Sequence, residues 1–324
     1  MIKINNKSFD YKENKILFDY IKEDSEFLAK KFLISETDNS LYDIKLCPIK
    51  DNNNIRLYDF YDEKGRDAYW HSTSHILAMA VKVWFKNNHK DENKVKLAIG
   101  PSIESGFYYD FDLSGIELKE ENLSEIEDIM KELIDENIPF VKSAMTRDEI
   151  LKKYSSMGEK YKAEIIEQYR DEKEFTVYTN TSKKYGMEFF DMCRGPHIPS
   201  TGYVKAFKLV SLAGAYWRGD EKRDMLARIY GISYPDKQML KDYLQKIEEA
   251  KKRDHRVLGK KLEIFSIFEE TGSGLVYWHP HGGMIRDIME RFWKDEHLRR
   301  GYELVLTPHI ARAELWKTSG HYDF

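Results

Sequence analysis

Apolar and polar positions at the start of the chain predict a small α+β unit over residues 1–62. Ile2 and Ile4 alternate with polar neighbours and are followed by a turn, which is typical of a β-hairpin. No cluster of catalytic residue types falls in this unit, so we interpret it as a binding or docking module. Its other predicted elements are a helix over residues 16–31 and strands over residues 42–47 and 55–60.

The hydrophobic positions that follow recur at helical spacing. They place His71 and His75 near the start of an amphipathic helix, with Asp67 as a candidate N-cap. The pattern then predicts mixed strands and helices. In order, these are a strand–turn–strand over residues 95–111, helices over 123–134 and 147–172, and strands over 175–179, 188–190 and 229–233. Between the last two, residues 207–220 predict a strand that ends in a close-packed functional loop at Tyr-Trp-Arg-Gly-Asp.

A long helix over residues 237–261 follows, and its end is strongly basic. A further unit is expected from residue 262. Its predicted elements are an apolar-faced helix around residues 285–293 and a strand over residues 300–308 that ends at a proline. The alternation of several strands and helices over 324 residues predicts a multidomain protein of the α+β class.

Composition fits a globular cytoplasmic protein. Hydrophobic residues make up 41% and charged residues 33% of the chain, and no apolar run reaches the roughly 18 residues of a membrane helix. The first residues contain no apolar signal core, so secretion is not expected. Cys47 and Cys193 lie in different contexts and are expected to be reduced thiols. A net charge of −4 argues against a wholly basic nucleic-acid coat but leaves room for a local basic surface.

Two spaced pairs of residues carry the chemistry. His71 and His75 are four positions apart and share a helix face, and Cys193 and His197 lie four positions apart in Asp-Met-Cys-Arg-Gly-Pro-His. Imidazole and thiolate are good zinc ligands, and the same groups can build a polar catalytic pocket. The residues alone leave both interpretations open.

With these motifs in hand, the chain resembles the N-terminal part of the bacterial threonyl-tRNA synthetase family. The resemblance rests on HSTSH, IGPSIESGFYYDFDL, DMCRGPH, AGAYWRGD, EEAKKRDHRVLGKKL and GLVYWHPHGGMIRDIMERFWKDEHLRRGYELVLTPHI, in the family's order. It implies a ubiquitin-like β-grasp TGS domain at 1–62, an editing domain at 63–235, a linker helix at 236–261, and at 262–324 the start of a class II antiparallel-sheet catalytic domain. Residues 301–308 would be motif 1, the strand through which the parent enzyme forms a homodimer.

The resemblance implies a threonine–tRNA ligase whose N-terminal part hydrolyses mischarged seryl-tRNA(Thr). Serine lacks one methyl of threonine, a difference that supports only about 1–3 kcal/mol of discrimination. Editing would need no cofactor. The parent enzyme implies ATP, Mg²⁺ and a catalytic Zn²⁺ whose ligands would lie beyond residue 324. The expected partners are the tRNA(Thr) acceptor end and its serine or threonine esters, and no membrane is expected.

The resemblance also assigns roles to individual residues. The editing pocket would be lined by His71, His75, Cys193 and His197, with His71 near the terminal ribose. Asp191 would hold the substrate amino group, Lys162 would assist the hydrolytic water, and Tyr108 or Tyr109 would shape the pocket. Tyr216 and Arg218 would border the tRNA end. Expected contacts with the tRNA backbone come from the basic helix end, at Lys251, Lys252, Arg253 and Arg256.

Two alternatives remain beside this interpretation. One is a noncatalytic tRNA-binding or regulatory fragment. The other is a metal-dependent trans-editing protein of the alanyl type, in which His71, His75, Cys193 and His197 would bind zinc.

Overall fold

The computed structural model describes residues 1–89, 94–272 and 274–323. The described chain divides into two compact units, Met1–Tyr243 and Leu244–Phe324. Several separate sheets and many helices make the protein mixed α+β, which confirms the predicted class. In the part of the chain that the structure describes, no helix is both long enough and apolar enough to cross a membrane.

The first part of unit Met1–Tyr243 is a five-stranded sheet packed against two short helices. The strand order is β2-β1-β5-β3-β4, with β1 parallel to β5 and the other pairs antiparallel. Buried Ile2, Leu17 and Ile55 are part of a core of its own. The elements are β1 (Ile2–Ile4), β2 (Lys7–Phe9), α1 (Leu17–Asp24), α2 (Glu26–Lys31), β3 (Ile34–Thr37), β4 (Ser40–Asp43) and β5 (Asn54–Tyr58).

Two predictions in this region were wrong in detail. The single helix expected over residues 16–31 is interrupted at Ser25, whose backbone is extended and whose hydroxyl accepts a hydrogen bond from the Leu28 N–H. The strand expected over residues 42–47 is shifted towards the N-terminus, because β4 pairs with the unpredicted strand β3 and ends at Asp43.

The remainder of this unit is built around one long buried helix, α3. This helix begins at Glu63, so the prediction of Asp67 as N-cap was wrong and Asp67 lies inside the helix. The elements are α3 (Glu63–His89), β6 (Lys96–Leu97), β7 (Ser102–Ile103), β8 (Gly106–Asp112), α4 (Asn122–Asp135), β9 (Val141–Thr146), α5 (Arg147–Met157), α6 (Lys160–Gln168), β10 (Glu174–Ser182), β11 (Met187–Met192), β12 (Ala206–Tyr216) and β13 (Met225–Tyr234). Helix α7 (Lys237–Lys252) begins in this unit and ends in the second one.

Two antiparallel sheets accompany α3. One has the order β12-β13-β8-β6 with β7 also paired to β8, and the other has the order β11-β10-β9. Apolar side chains along α3, including Leu77, Met79 and Phe85, are fully buried in the largest core cluster. Burial on nearly all sides holds this helix in place, so the side chains along it are fixed relative to both sheets.

The second unit contains α8 (His255–Lys261), β14 (Phe265–Ser266), β15 (Tyr277–Trp278), α9 (Pro280–Arg299) and α10 (Ala313–Thr318). The helix expected over residues 237–261 is therefore two helices. Asp254 separates them and caps α8, because its carboxylate accepts the Arg256 N–H at 2.7 Å.

The strand predicted over residues 300–308 was wrong. Residues 302–308 have no regular secondary structure, and no described strand pairs with them. A strand needs the backbone hydrogen bonds of a neighbour, and the alternating apolar side chains of Leu304 and Leu306 do not supply these. Helix α9 forms as predicted, yet its apolar face is exposed, with Phe292 at 68% of its full accessibility.

Candidate functional site: a buried histidine–cysteine cluster

Helix α3 and the segment after β11 bring the two predicted residue pairs together. His71 and His75 are one turn apart on α3, with ring centroids separated by 4.8 Å. The chain that leaves β11 carries Cys193 and His197 back against the same helix face. One donor atom from each of the four residues lies within 4.8 Å of the others, although the two pairs are far apart in the sequence.

The hydrogen bonds of His71 define its tautomer. Its Nδ1 lies 3.2 Å from the Gly100 carbonyl oxygen, which can only accept, so Nδ1 carries the proton. Its Nε2 therefore presents a lone pair to the Cys193 sulfur, 2.7 Å away. Burial lowers the pKa of His71, which keeps the imidazole neutral near pH 7.

His197 is oriented in the same manner by Ser72. The Ser72 hydroxyl donates to the Ala68 carbonyl at 2.7 Å, so it accepts from Nδ1 of His197 at 2.9 Å and from the Ile198 N–H. The lone pair of His197 Nε2 then faces the Cys193 sulfur at 3.4 Å. Burial holds the pKa of His197 well below its ordinary value, so this ring is also neutral.

Cys193 is thus a neutral thiol between two imidazole lone pairs. Burial raises its pKa to about 12, and the hydrogen bond from the Gly195 N–H at 3.2 Å only partly offsets that effect. The thiol has one proton and two neighbouring acceptors, so its S–H can serve either imidazole. His75 completes the group with a buried Nδ1 that has no hydrogen-bond partner, and burial holds its pKa well below the usual range.

A buried ion pair lies next to the cluster. Lys162 on α6 contacts Asp191 at 2.5 Å, and both side chains are at most 5% exposed. The other hydrogen bonds to Asp191 come from the hydroxyls of Tyr109 at 2.7 Å and Tyr154 at 3.4 Å. Both carboxylate oxygens therefore have protein donors. The His75 Nε2 is 3.9 Å from the same carboxylate, so this ion pair borders the cluster directly.

The two tyrosines proposed to shape the pocket face different sides of β8. Tyr109 is fully buried against Asp191, whereas Tyr108 stacks with the guanidinium of Arg228 at 4.0 Å from the ring centre. Successive residues of a strand point to opposite faces, so only one of them can reach the cluster. The structure places Tyr109 there.

An open cavity of about 370 Å³ reaches the cluster from the surface. Among the cluster residues, His71 and Cys193 line it. His75, His197, Lys162 and Asp191 are not on its wall and form a polar layer behind it. Its lining residues are Leu41, Lys64, Asp67, Ala68, His71, Pro101, Ser102, Cys193, Arg194, Gly195 and Pro196.

Part of this site lies in a segment that is similar to known proteins. Residues 176–230, which include Asp191, Cys193 and His197, match the family model described as "Threonyl and Alanyl tRNA synthetase second additional domain". The threonine–tRNA ligase of Caldanaerobacter subterraneus subsp. tengcongensis is 44% identical over 97% of this chain and 46% of its own length. The chain is homologous to the threonine–tRNA ligases.

Two more relatives support this relationship. The threonine–tRNA ligase of Carboxydothermus hydrogenoformans is 43% identical over 98% of this chain and 48% of its own length. That of Oleidesulfovibrio alaskensis is 51% identical over 78% of this chain and 37% of its own length. The chain spans about half the length of the threonine–tRNA ligases that it matches.

Several residues singled out from the resemblance to threonine–tRNA ligases lie outside the cavity wall. Tyr216 is at the end of β12, and Arg218 pairs with Glu164 on α6 at 3.2 Å. The basic residues of the second unit are exposed and partly paired, Lys252 and Arg253 with Glu249 and Arg256 with Asp254. Their contacts with tRNA stay predictions.

Ser72 and Tyr154 belong to the site but were not predicted from the sequence. Ser72 sets the tautomer of His197, and Tyr154 donates to Asp191 and accepts the Met192 N–H at 2.6 Å. A signal existed for Ser72, since it lies within His-Ser-Thr-Ser-His, directly before the apolar stretch Ile76–Val81 of the same helix. For Tyr154, located in a charged helix, the sequence contains no comparable signal.

Proposed function

We propose that this chain hydrolyses the ester bond of mischarged seryl-tRNA(Thr), as the editing part of a threonine–tRNA ligase that joins threonine to tRNA using ATP. The observation that carries the proposal is the convergence of neutral His71 and Cys193 at the wall of an open cavity. Homology to threonine–tRNA ligases supports the substrate class. A missing methyl explains why serine needs a second, hydrolytic selection.

The proposed mechanism uses the two acceptors around the Cys193 thiol. When the S–H turns from His71 to His197, the Nε2 lone pair of His71 becomes free to accept a proton from a water in the cavity. The resulting hydroxide attacks the carbonyl carbon of the ester. The bond to the ribose oxygen then breaks, and that oxygen takes the proton from the His71 imidazolium, which releases serine and tRNA.

The polar layer behind the cavity would hold these groups in place. The pair of Lys162 and Asp191 is buried, so its proposed contribution is to orient His75 and the wall of the site. Contact between Asp191 and a substrate amino group remains part of the proposal, and it would require one of the donors now bonded to that carboxylate to move.

Replacing His71 with alanine should abolish most of the hydrolysis. General-base catalysis contributes about 10²–10⁴-fold in rate, so we expect a loss in that range. The measurement is release of labelled serine from seryl-tRNA(Thr) by the 324-residue chain. His281→Ala, at an exposed position of α9, is the matched control and should hydrolyse at the unaltered rate. A wild-type chain that binds the acceptor end yet releases no serine would instead support the noncatalytic alternative.

We extend the proposal to the domains and partners. The order β2-β1-β5-β3-β4, with a parallel central pair, supports a β-grasp TGS domain at residues 1–62. The family match within 176–230 supports an editing domain at 63–235, followed by a linker at 236–261. Residues 262–324 would begin a class II catalytic domain. The proposal also includes a homodimer through motif 1 and a cytoplasmic location. Contacts with tRNA would come from Lys251, Lys252, Arg253 and Arg256.

The second candidate is a metal-dependent editing site. The types of ligand atoms in the cluster support this candidate. Three imidazoles and one thiol match the ligands that zinc prefers, and the buried Nδ1 of His75 lacks a partner. His71, His75, Cys193 and His197 would hold the ion, with Cys193 as the thiolate. Bound zinc polarises a carbonyl group or activates water when a coordination position is open. Activation of water by the ion would require one of these four residues to leave its coordination position open.

The first candidate uses no metal, so treatment with a chelator should leave hydrolysis unchanged. We expect the chain treated with EDTA and dialysed to release serine at the rate of the untreated chain, because the proposed proton transfers use side chains only. Serine release and the zinc content by mass spectrometry are measured on the same samples. Loss of hydrolysis on chelation would favour the metal-dependent editing protein of the alanyl type, if one equivalent of Zn²⁺ restores the activity and Mg²⁺ does not.

A further inference from the structure

The N-terminal sheet places one carboxylate against the segment that carries His197, behind the wall of the cavity. Asp43 is the last residue of β4, and it is only 7% exposed. Its Oδ1 accepts the backbone N–H of His197 at 2.7 Å. This is a contact between two residues 154 positions apart in the chain, made at the residue whose imidazole faces the Cys193 sulfur.

Tyr178 on β10 strengthens the same connection. Its hydroxyl donates to the Asp43 carboxylate, with distances of 3.0 and 2.9 Å to the two oxygens. Its ring packs edge-on against the His197 imidazole, with 4.3 Å between the ring centres. Asp43 thus fixes His197 twice, once through the backbone and once through the aromatic ring that packs against its side chain.

The segment from Cys193 to His197 has little room to shift away from Asp43 and Tyr178. A Cβ atom on Gly195 would lie 2.2 Å from the Tyr178 hydroxyl oxygen, so the glycine backbone passes directly over that group. The N–H of the same glycine donates to the Cys193 sulfur. Asp43, Tyr178 and the segment from Cys193 to His197 therefore form one continuous packed unit.

We propose that Asp43 is a positioning residue of the hydrolytic site, so that the N-terminal sheet is a structural part of the active centre. The inference rests on the proposed function for its effect on rate, while the geometric claim stands on the contacts alone. Leu41, on the same strand, also lines the cavity, which places the sheet at the site by a second observation.

Loss of the Asp43 carboxylate would leave two buried donors without acceptors. The His197 N–H and the Tyr178 hydroxyl would then seek other partners, and the segment from Cys193 to His197 would have to move to find them. Displacement of a catalytic group by about 1 Å can lower a rate by roughly 10²-fold. Binding of tRNA would be affected less, because Asp43 lies behind the cavity wall and is not among its lining residues.

The test compares Asp43→Ala, Asp43→Asn and Tyr178→Phe with a matched control, Asp24→Ala. Asp24 is the last residue of α1 and pairs with Lys7 on β2 of the same sheet, and neither residue lines the cavity. Each variant of the 324-residue chain is measured for kcat and KM of serine release and for hydrogen exchange at the His197 amide by NMR. Circular dichroism reports whether each variant is folded.

We expect Asp43→Ala to lower kcat by about 10- to 100-fold with KM changed less than twofold, and to accelerate exchange at the His197 amide. Asn keeps one acceptor oxygen, so Asp43→Asn should recover part of kcat and of the protection. Asp24→Ala should match the wild type in both. If Asp43→Ala does not fold, Tyr178→Phe provides a second test, since it removes the hydroxyl that donates to Asp43 and leaves the Asp43 acceptor of the His197 N–H in place.

Wild-type kcat in a folded Asp43→Ala or Tyr178→Phe variant would overturn the proposal, as would unchanged His197 amide protection in Asp43→Ala. A wild-type chain without serine release would overturn the proposed function alone. In that case hydrogen exchange at the His197 amide still tests whether Asp43 positions the segment from Cys193 to His197, because this measurement requires no substrate.

Discussion

Replacing Lys162 with methionine is expected to cost about 3–5 kcal/mol of the free energy of unfolding. Removal of one partner of a buried ion pair leaves an uncompensated buried charge, and this destabilises the fold more than replacement of both partners does. Here Asp191 would remain 3% exposed, with only the hydroxyls of Tyr109 and Tyr154 as donors. Urea unfolding monitored by tryptophan fluorescence measures the change.

Lys160, two residues earlier on the same helix, is the matched control. Its side chain is 54% exposed and pairs with Asp112 and Asp224, so Lys160→Met should cost less than about 1 kcal/mol. The double variant Lys162→Met/Asp191→Asn removes both charges and should recover more than half of the loss. Equal costs for Lys160→Met and Lys162→Met would contradict a buried ion pair at this site.

Acid is expected to destabilise the metal-free chain below about pH 6.5, the ordinary pKa of an unfolded histidine. Burial lowers the pKa of His71 and holds those of His75 and His197 well below that value in the fold. The unfolded chain then binds more protons than the folded chain, so the free energy of unfolding falls as pH falls. Each such histidine contributes up to about 1.4 kcal/mol per pH unit.

Urea unfolding in EDTA at pH 7.5, 6.5 and 5.5 measures this slope. His75→Phe keeps a ring in the cluster but removes one titrating group, so its slope should be smaller by about one proton equivalent. His255→Gln, at an exposed position, should retain the full slope. Stability that is constant from pH 7.5 to 5.5 would show that the three buried imidazoles do not remain neutral in the folded protein.

The cluster itself could be predicted from the sequence because its members come in pairs with fixed spacing. A four-residue separation places His71 and His75 on one helix face whatever the rest of the chain does. The second pair lies in a short segment whose residue types are rare together. These are local properties, and local properties can be read without knowing the fold.

What could not be predicted depends on contacts between distant segments. Tyr108 and Tyr109 are adjacent and chemically alike, and only the packing of β8 decides which of them meets Asp191. The strand expected at residues 300–308 has an alternating pattern, yet a strand forms only with a partner, and that information is not local. Asp43 gave no signal, since a single aspartate near a turn is common on protein surfaces.

The wall of the cavity is formed by separate parts of the chain, with lining residues at position 41 and within 64–71, 101–102 and 193–196. Such a wall cannot be transplanted as one segment. A graft of residues 176–230 into another scaffold would carry Cys193 and His197 but neither His71 nor Asp43. A protein engineer who wants a minimal esterase from this chain would have to retain the first strands together with everything up to β13, and shorten it only after that point.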